Sequence, residues 1–276
     1  MNAVLLSESV ESYLACRDVS PQYAQNVRGR VSRFCQWSGV DSPTAFSERN
    51  LSAFLKSLPC SPATKKGYWG DLLVVWRWCA DCGYCDYPAQ RKIYRPQVPA
   101  SVPMCWTVSE VRCLLTTAGA VKGDFPTGVC RSDYWSALIR MGYETGLRVS
   151  DLMRMDRRQI NNQLLVTVSN KTGVRTFHAI SNDTEELLSR LPKNAPLRFC
   201  YTMRNFSRCF RRIVKASGVR PGTFKWLRRT SGSYVEASNP GQGSKHLGHT
   251  SPSTFRKFYD ARFVADTASC PQPPPL

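Results

Sequence analysis

Six residues of types that can handle a phosphate stand out in this 276-residue chain, and they fall in four short stretches. In "ETGLRVSDL", Gly146 permits a sharp turn and Arg148 follows where a helical pattern begins. Arginine presents a planar fork that grips phosphate bidentately, and Asp151, one turn on, is placed to hold the guanidinium. Taken alone, such an Arg–Asp spacing reads equally as a surface ion pair. Lys171 lies in "SNKTGVR", at what reads as a hairpin tip, where lysines are ordinarily solvated. "TFKWLRRTSGS" puts Lys225 and Arg228 on one helical face, a spacing that also suits plain DNA-backbone contact. Last comes "HLGHTSPSTFRKFYD", with His249 on a turn and Tyr259 ten residues later. Each stretch is weak by itself.

The charge says what kind of partner these residues would meet. The chain carries a net +18, of which +4 lies in residues 1–100 and +14 in the remainder. No acid occurs between Glu186 and Glu236, where "RNFSRCFRRIVKASGVRPGTFKWLRR" interleaves Arg and Lys with aromatics. A solvated face usually mixes signs, so this run points to nucleic-acid phosphate. The basic residues expected to meet DNA are Arg28, Arg30, Arg33, Lys65 and Lys66 in the first half, and Arg204, Arg208, Arg211, Arg212 and Arg229 in the second. No stretch approaches the ~20 apolar residues of a membrane helix, and "MNAVLLSESVESYL" lacks the basic start of a secretory signal. A cytoplasmic location follows, nucleoid-associated if the source is bacterial. Twelve scattered cysteines then read as thiols. "CADCGYC" (Cys79, Cys82, Cys85) has metal-like spacing but no fourth ligand nearby, so small buried side chains at a helix end are the expectation. No metal and no cofactor are expected; no glycine loop of the nucleotide-phosphate kind is present.

The elements that must position these residues are mostly helical. Residues 1–88 read as a small helical, DNA-gripping domain, with Ser20-Pro21 and the Ser-Pro of "SPATKKGYWGDLL" opening two helices. Tyr23, Val27, Val31 and Phe34 form an apolar stripe, and Arg28, Arg30 and Arg33 lie largely off it. Four prolines fall between Pro88 and Pro103, and residues 89–104 read as a linker. Thr107 with Glu110 is a capping box that restarts helix, opening a domain over 105–265. Inside it, two β-rich runs flank "SNKTG" as an antiparallel hairpin. His178 is placed in that hairpin, and His246 finds no carboxylate or Cys partner to make a metal pair with His249. Residues 266–276 read as a proline-rich, disordered tail. The fold expected is mainly α with a small β-hairpin or sheet in the second domain.

Together these features resemble the tyrosine recombinase (phage integrase) family over nearly the whole chain. The family's marks are an Arg in a T-G-L-R-x-S-[E/D] turn, a Lys on a β-hairpin, an H-x-x-R helix, an L-G-H turn and a downstream Tyr. They fall here, in the family's order, on Arg148, Lys171, Arg228, His249 and Tyr259. The resemblance implies a two-domain clamp on duplex DNA that cleaves and rejoins strands without metal or ATP. Tyr259 would attack phosphorus to form a 3′-phosphotyrosyl ester, which conserves the bond energy. Arg148 and Arg228 would clamp the transition-state charge, Lys171 would protonate the leaving 5′-oxygen, and His249, with a near-neutral pKa, would donate to the phosphate. A homo-tetramer on two DNA sites is implied. The chain departs from the pattern twice. Lys225 stands where the family has His, as in viral-type topoisomerases IB that share this core. Phe258, not Tyr259, occupies the usual nucleophile spacing, so an irregularity is required, and Pro252 is suited to supply it. Two alternatives therefore stay open: a type IB-like topoisomerase, and a DNA-binding relative without catalysis.

Overall fold

A computed structural model describes residues 4–261. The tail expected over 266–276 lies outside the described residues. The chain divides between Ser101 and Val102 into two compact units.

The first unit is built from α1 (Leu6–Ala15), α2 (Pro21–Ser38), α3 (Glu48–Ser57) and α4 (Pro62–Asp81). Serine hydroxyls start three of them: Ser20, Ser47 and Ser61 accept from the backbone N–H of Tyr23, Asn50 and Thr64. Val27, Val31 and Phe34 of α2 are buried against Leu51, Phe54, Leu55, Leu72 and Trp76. The stretch expected as an interdomain linker, 89–104, begins with contacts to this unit. The N–H of Ala89 bonds the Glu48 carboxylate, that of Tyr94 bonds Ser52 Oγ, and Ile93 is buried in the core. The apolar Ile93 side chain outweighs the loop character of its proline-rich surroundings. Of the three clustered cysteines only Cys79 is buried; Cys82, past the end of α4, is exposed.

The second unit contains α5 (Val108–Gly119), α6 (Arg131–Thr145), α7 (Val149–Leu152), α8 (Asn182–Ser189), α9 (Met203–Ala216), α10 (Lys225–Ser238), α11 (Gln242–His246) and α12 (Pro252–Phe258). The capping box forms: Thr107 Oγ1 accepts from Glu110 N–H, and Glu110 accepts from Thr107 N–H. Between α7 and α8 lie β1 (Ile160–Asn161), β2 (Leu164–Val168) and β3 (Arg175–Ala179), an antiparallel sheet in the order β1-β2-β3. β1 was not legible, because two residues show no alternation. Leu165 pairs with His178 and Val168 with Arg175, so Thr176 and His178 face inward while Arg175 and Phe177 face out. α6 runs through the middle of the core, with Tyr134, Leu138, Met141 and Tyr143 buried. No described helix is long and apolar enough to cross a membrane.

Candidate active site

α6 ends at Gly146, whose φ of +60° is a left-handed cap. A Cβ there would meet Leu247 Cδ2 at 2.5 Å, so both backbone and space demand glycine. The sharp turn delivers Arg148 as the N-cap of α7. Its Nη1 donates to Ser169 Oγ at 2.8 Å and lies 3.8 Å from the buried Asp151 carboxylate. Asp151 Oδ1 also accepts from Asn170 N–H (3.4 Å) and Arg154 (3.1 Å). One carboxylate thus ties Arg148 to the β2–β3 loop.

Arg228, on the first turns of α10, is 4% exposed. Its Nη1 donates to the Gly146 carbonyl and its Nη2 to the Leu247 carbonyl, both at 2.5 Å, and Nη2 also reaches His249 Nε2 at 3.1 Å. Because a guanidinium only donates, His249 Nε2 accepts and its proton sits on Nδ1. That Nδ1 is buried and has no hydrogen-bond partner among the described residues. The Leu247-Gly248-His249 turn is pressed onto the hairpin: a Cβ on Gly248 would meet Thr176 Cγ2 at 2.9 Å, and Thr172 Oγ1 donates to the Gly248 carbonyl.

Tyr259 joins this group. Its ring lies 4.6 Å from that of His249, 4.9 Å from Lys225 Nζ and 5.3 Å from Arg228 Cζ, centroid distances throughout. Phe258, at the usual spacing, is 43% exposed. The extra residue is absorbed at both ends of α12. Ser251-Pro252 starts the helix afresh after the His249 turn, and Tyr259 comes just past the last turn, at φ −129°. Lys171 is exposed on the hairpin loop, while its neighbours Ser169, Asn170 and Thr172 touch Arg148, Asp151 and Gly248.

Burial would raise the Tyr259 phenol, but the charges of Arg228, Lys225 and Arg148 outweigh it and hold the phenol below its ordinary value. The same environment overturns the near-neutral pKa expected of His249. Burial, then Arg228, Arg148 and Lys225, push it down to about 4. Arg228 itself falls to about 10 through burial and the nearby Arg148. Three cations, Arg148, Lys225 and Arg228, converge here, with the Asp151 carboxylate beside Arg148. Such a cluster of positive charge stabilises an anion.

The basic residues expected to meet DNA divide into two sets. Arg204, Arg208, Arg211 and Arg212 line the exposed side of α9, opposite buried Phe206, Phe210 and Ile213, and Arg33 and Lys66 are exposed on α2 and α4. Arg28 and Arg30 are instead ion-paired with Glu11 and Asp71, and Lys65 donates to the Lys56 carbonyl. Arg229 is partly buried and donates to the main-chain carbonyls of Phe258 and Met104. Sequence reasoning missed Ser169, Ser231 and Ser233. Thr230, Ser231 and Ser233 are all fully buried in mid-helix, which their residue types do not announce. His178 and His246 pack edge to face 5.1 Å apart behind the site, bonded to Thr176 and Ser231.

No protein-family model and no curated protein sequence matches the chain. Solved structures do. A lambda integrase (75–356) dimer bound to a COC′ core site superposes with a TM-score of 0.76 at 20% identity, covering 94% of this chain and 96% of that one. A lambda integrase tetramer bound to a Holliday junction gives 0.75 at 21% identity, over 95% and 79%. XerH site-specific recombinase in a post-cleavage complex with palindromic difH gives 0.68 at 18% identity, over 94% and 81%. The chain therefore has the fold of the tyrosine recombinases.

Proposed function

We propose that this protein is a site-specific DNA recombinase that cleaves and rejoins strands through Tyr259. The observation that carries the reading is the meeting of Tyr259, Arg148, Lys225, Arg228 and His249 in one cluster, on a fold shared with structures bound to DNA. The phenol oxygen bonds to phosphorus as the bond from phosphorus to the 5′-oxygen breaks. The products are a 3′-phosphotyrosyl ester and a free 5′-hydroxyl. Arg148 and Arg228 neutralise the non-bridging oxygens of the transition state. Lys171, on the loop beside them, supplies the proton that the 5′-oxygen takes. His249 is neutral, carries its proton on Nδ1, and orders Arg228. Lys225 is a poor base. It serves instead as a third cation that eases loss of the phenol proton to solvent, so no base is needed at that position.

The recombinase reading is favoured over a topoisomerase because the superposition on lambda integrase spans both units of this chain. By the same likeness, four protomers would act on two DNA sites. The placement of Tyr259 beside Arg228 supports catalysis over DNA binding alone. The test is a covalent trap with nicked duplexes drawn from DNA flanking the gene. A DNA-linked peptide bearing Tyr259 at one preferred site is the expected result. Adducts at many sites would favour a topoisomerase, and tight binding without any adduct would overturn the catalytic reading.

A further inference from the structure

Tyr259 lies past the end of α12, so the helix does not aim it. The Phe255 carbonyl accepts from both Tyr259 N–H (2.8 Å) and Asp260 N–H (3.1 Å), which marks where the regular ladder stops. Something else must set the direction of the phenol, and one stripe of α10 touches each residue around it. Lys225, Arg229 and Ser233 are spaced i, i+4, i+8 and share a helix face. Lys225 Nζ lies over the Tyr259 ring. Arg229 Nε donates to the Phe258 carbonyl at 3.0 Å, while its Nη1 holds the Met104 carbonyl at 3.1 Å. Ser233, fully buried, donates from Oγ to the Tyr259 carbonyl (3.1 Å) and accepts there from Ala261 N–H (2.9 Å). One hydroxyl thereby satisfies a donor and an acceptor on either side of Asp260. Beyond it Ala261 is fully buried with Cys105 and Tyr234, and the Cys105 thiol donates to its carbonyl at 3.8 Å.

We propose that Ser233 and Arg229 are positioning residues for the nucleophile: acting only through the main chain of 258–261, they hold the Tyr259 phenol in its own subunit's cluster of Arg148, Lys225, Arg228 and His249. This rests on the reading of Tyr259 as nucleophile. It also gives Arg229 a role other than the DNA contact expected from sequence. Its fork spans two carbonyls, and neutral acceptors leave its charge in place. Ser233→Ala would strip the Tyr259 carbonyl and the Ala261 N–H of their shared partner, freeing the backbone rotation that aims the ring.

The test compares Ser233→Ala and the charge-conserving Arg229→Lys with wild type by two readouts. The first is the rate of Tyr259–DNA ester formation at saturating DNA, with DNA affinity measured separately. A displacement of about 1 Å costs roughly 10²-fold in rate, so a fall of that order with affinity unchanged is expected. The second is the absorbance titration of the Tyr259 phenol, isolated by subtracting the same protein carrying Tyr259→Phe. A phenol released from the cations should titrate higher, toward the ordinary value near 10. Wild-type rate and titration in both variants would overturn the proposal. So would a slower rate with the titration unmoved, since the phenol would then not have shifted. If Ser233→Ala does not fold, Arg229→Lys decides by the same two readouts. If the wild type itself forms no adduct, the recombinase reading fails, and the titration still decides whether α10 holds the phenol.

Discussion

The two units hold their arginines in different ways. In the first, Arg28 makes a bidentate pair with Glu11, and Arg30 pairs with Asp71 at 2.5 Å, stacks on Tyr68 and fills space left open by Gly67. In the second, Arg228 is fixed by two carbonyls and an imidazole, and Arg229 by two carbonyls. A carboxylate fixes a guanidinium and cancels its charge. A carbonyl fixes it and leaves the charge available. The second unit also shows the other mode: Arg220 pairs with Glu110 and, against the effect of burial, helps hold that carboxyl down at about 2. The difference therefore tracks task rather than location. Arg228, held by neutral acceptors, keeps a charge that an anion could meet.

The sharpest way to break this comparison is to remove the two arginines beside Tyr259: Arg228, held by carbonyls, and Arg148, held by the Ser169 hydroxyl with the Asp151 carboxylate 3.8 Å away. Arg228→Ala and Arg148→Ala are each expected to cut Tyr259–DNA ester formation by at least about 10²–10³-fold while leaving most DNA affinity in place. Near-normal cleavage by either variant would sink the site assignment. Next in size is Lys171→Ala, for which a loss of about 10²–10⁴-fold is expected. DNA carrying sulfur in place of the bridging 5′-oxygen should restore its rate, because a thiolate leaves without a proton. Failure of that rescue would remove Lys171 as the acid.

How much of this was legible follows the same physics. Helix starts were readable because Ser-Pro and Thr-x-x-Glu satisfy backbone N–H groups locally. The hairpin was readable from two β-rich runs around a turn. What could not be read was pairing across the chain. Nothing near Arg30 in sequence points to Asp71, 41 residues on, nor from Arg229 to the carbonyl of Met104. The offset of Tyr259 was visible as a problem, but its solution was not. Ser233 and Arg229, proposed to hold the phenol, look like any other helix residues until their partners at 258–261 are known.

A third expectation concerns acid. All three histidines of the chain lie in the second unit, and burial and nearby cations push His178 and His249 down to about 4 and His246 to about 3. A histidine whose folded pKa lies below its unfolded value near 6.5 stabilises the fold above that pH. On acidification the unfolded chain takes the protons first, so stability falls as the pH drops from about 6.5 toward 4. His178, 2% exposed, contributes roughly 3 kcal/mol over that window by itself. Calorimetry should show the transition of the second unit moving down between pH 6.5 and 4.5 while that of the first, which has no histidine, stays nearly fixed. Two transitions moving together would contradict this.

The smallest effects test the carboxylate-held side. Arg30 and Asp71 are 24% and 14% exposed, so truncating Arg30 leaves a largely buried carboxylate without its partner. Burial already raises the Asp71 carboxyl against the pull of Arg30, and losing that pull would raise it further. A stability loss of about 2 kcal/mol is expected for Arg30→Ala by urea denaturation, below the range for fully buried pairs because some solvent reaches this one. Arg28 and Glu11 are each about half exposed, and solvent screens their pair despite its 2.6 Å geometry. Arg28→Ala should leave the denaturation midpoint where it was. DNA affinity sharpens the contrast further. If Arg30 is held for structure, Arg30→Ala in its folded form should keep the wild-type slope of log affinity against log salt. Arg208→Ala, on the open face of α9, should reduce that slope by about one. A slope that also dropped by one for Arg30 would mean that a carboxylate-paired guanidinium still reaches phosphate, and the distinction between the two ways of holding arginine would no longer separate structure from function.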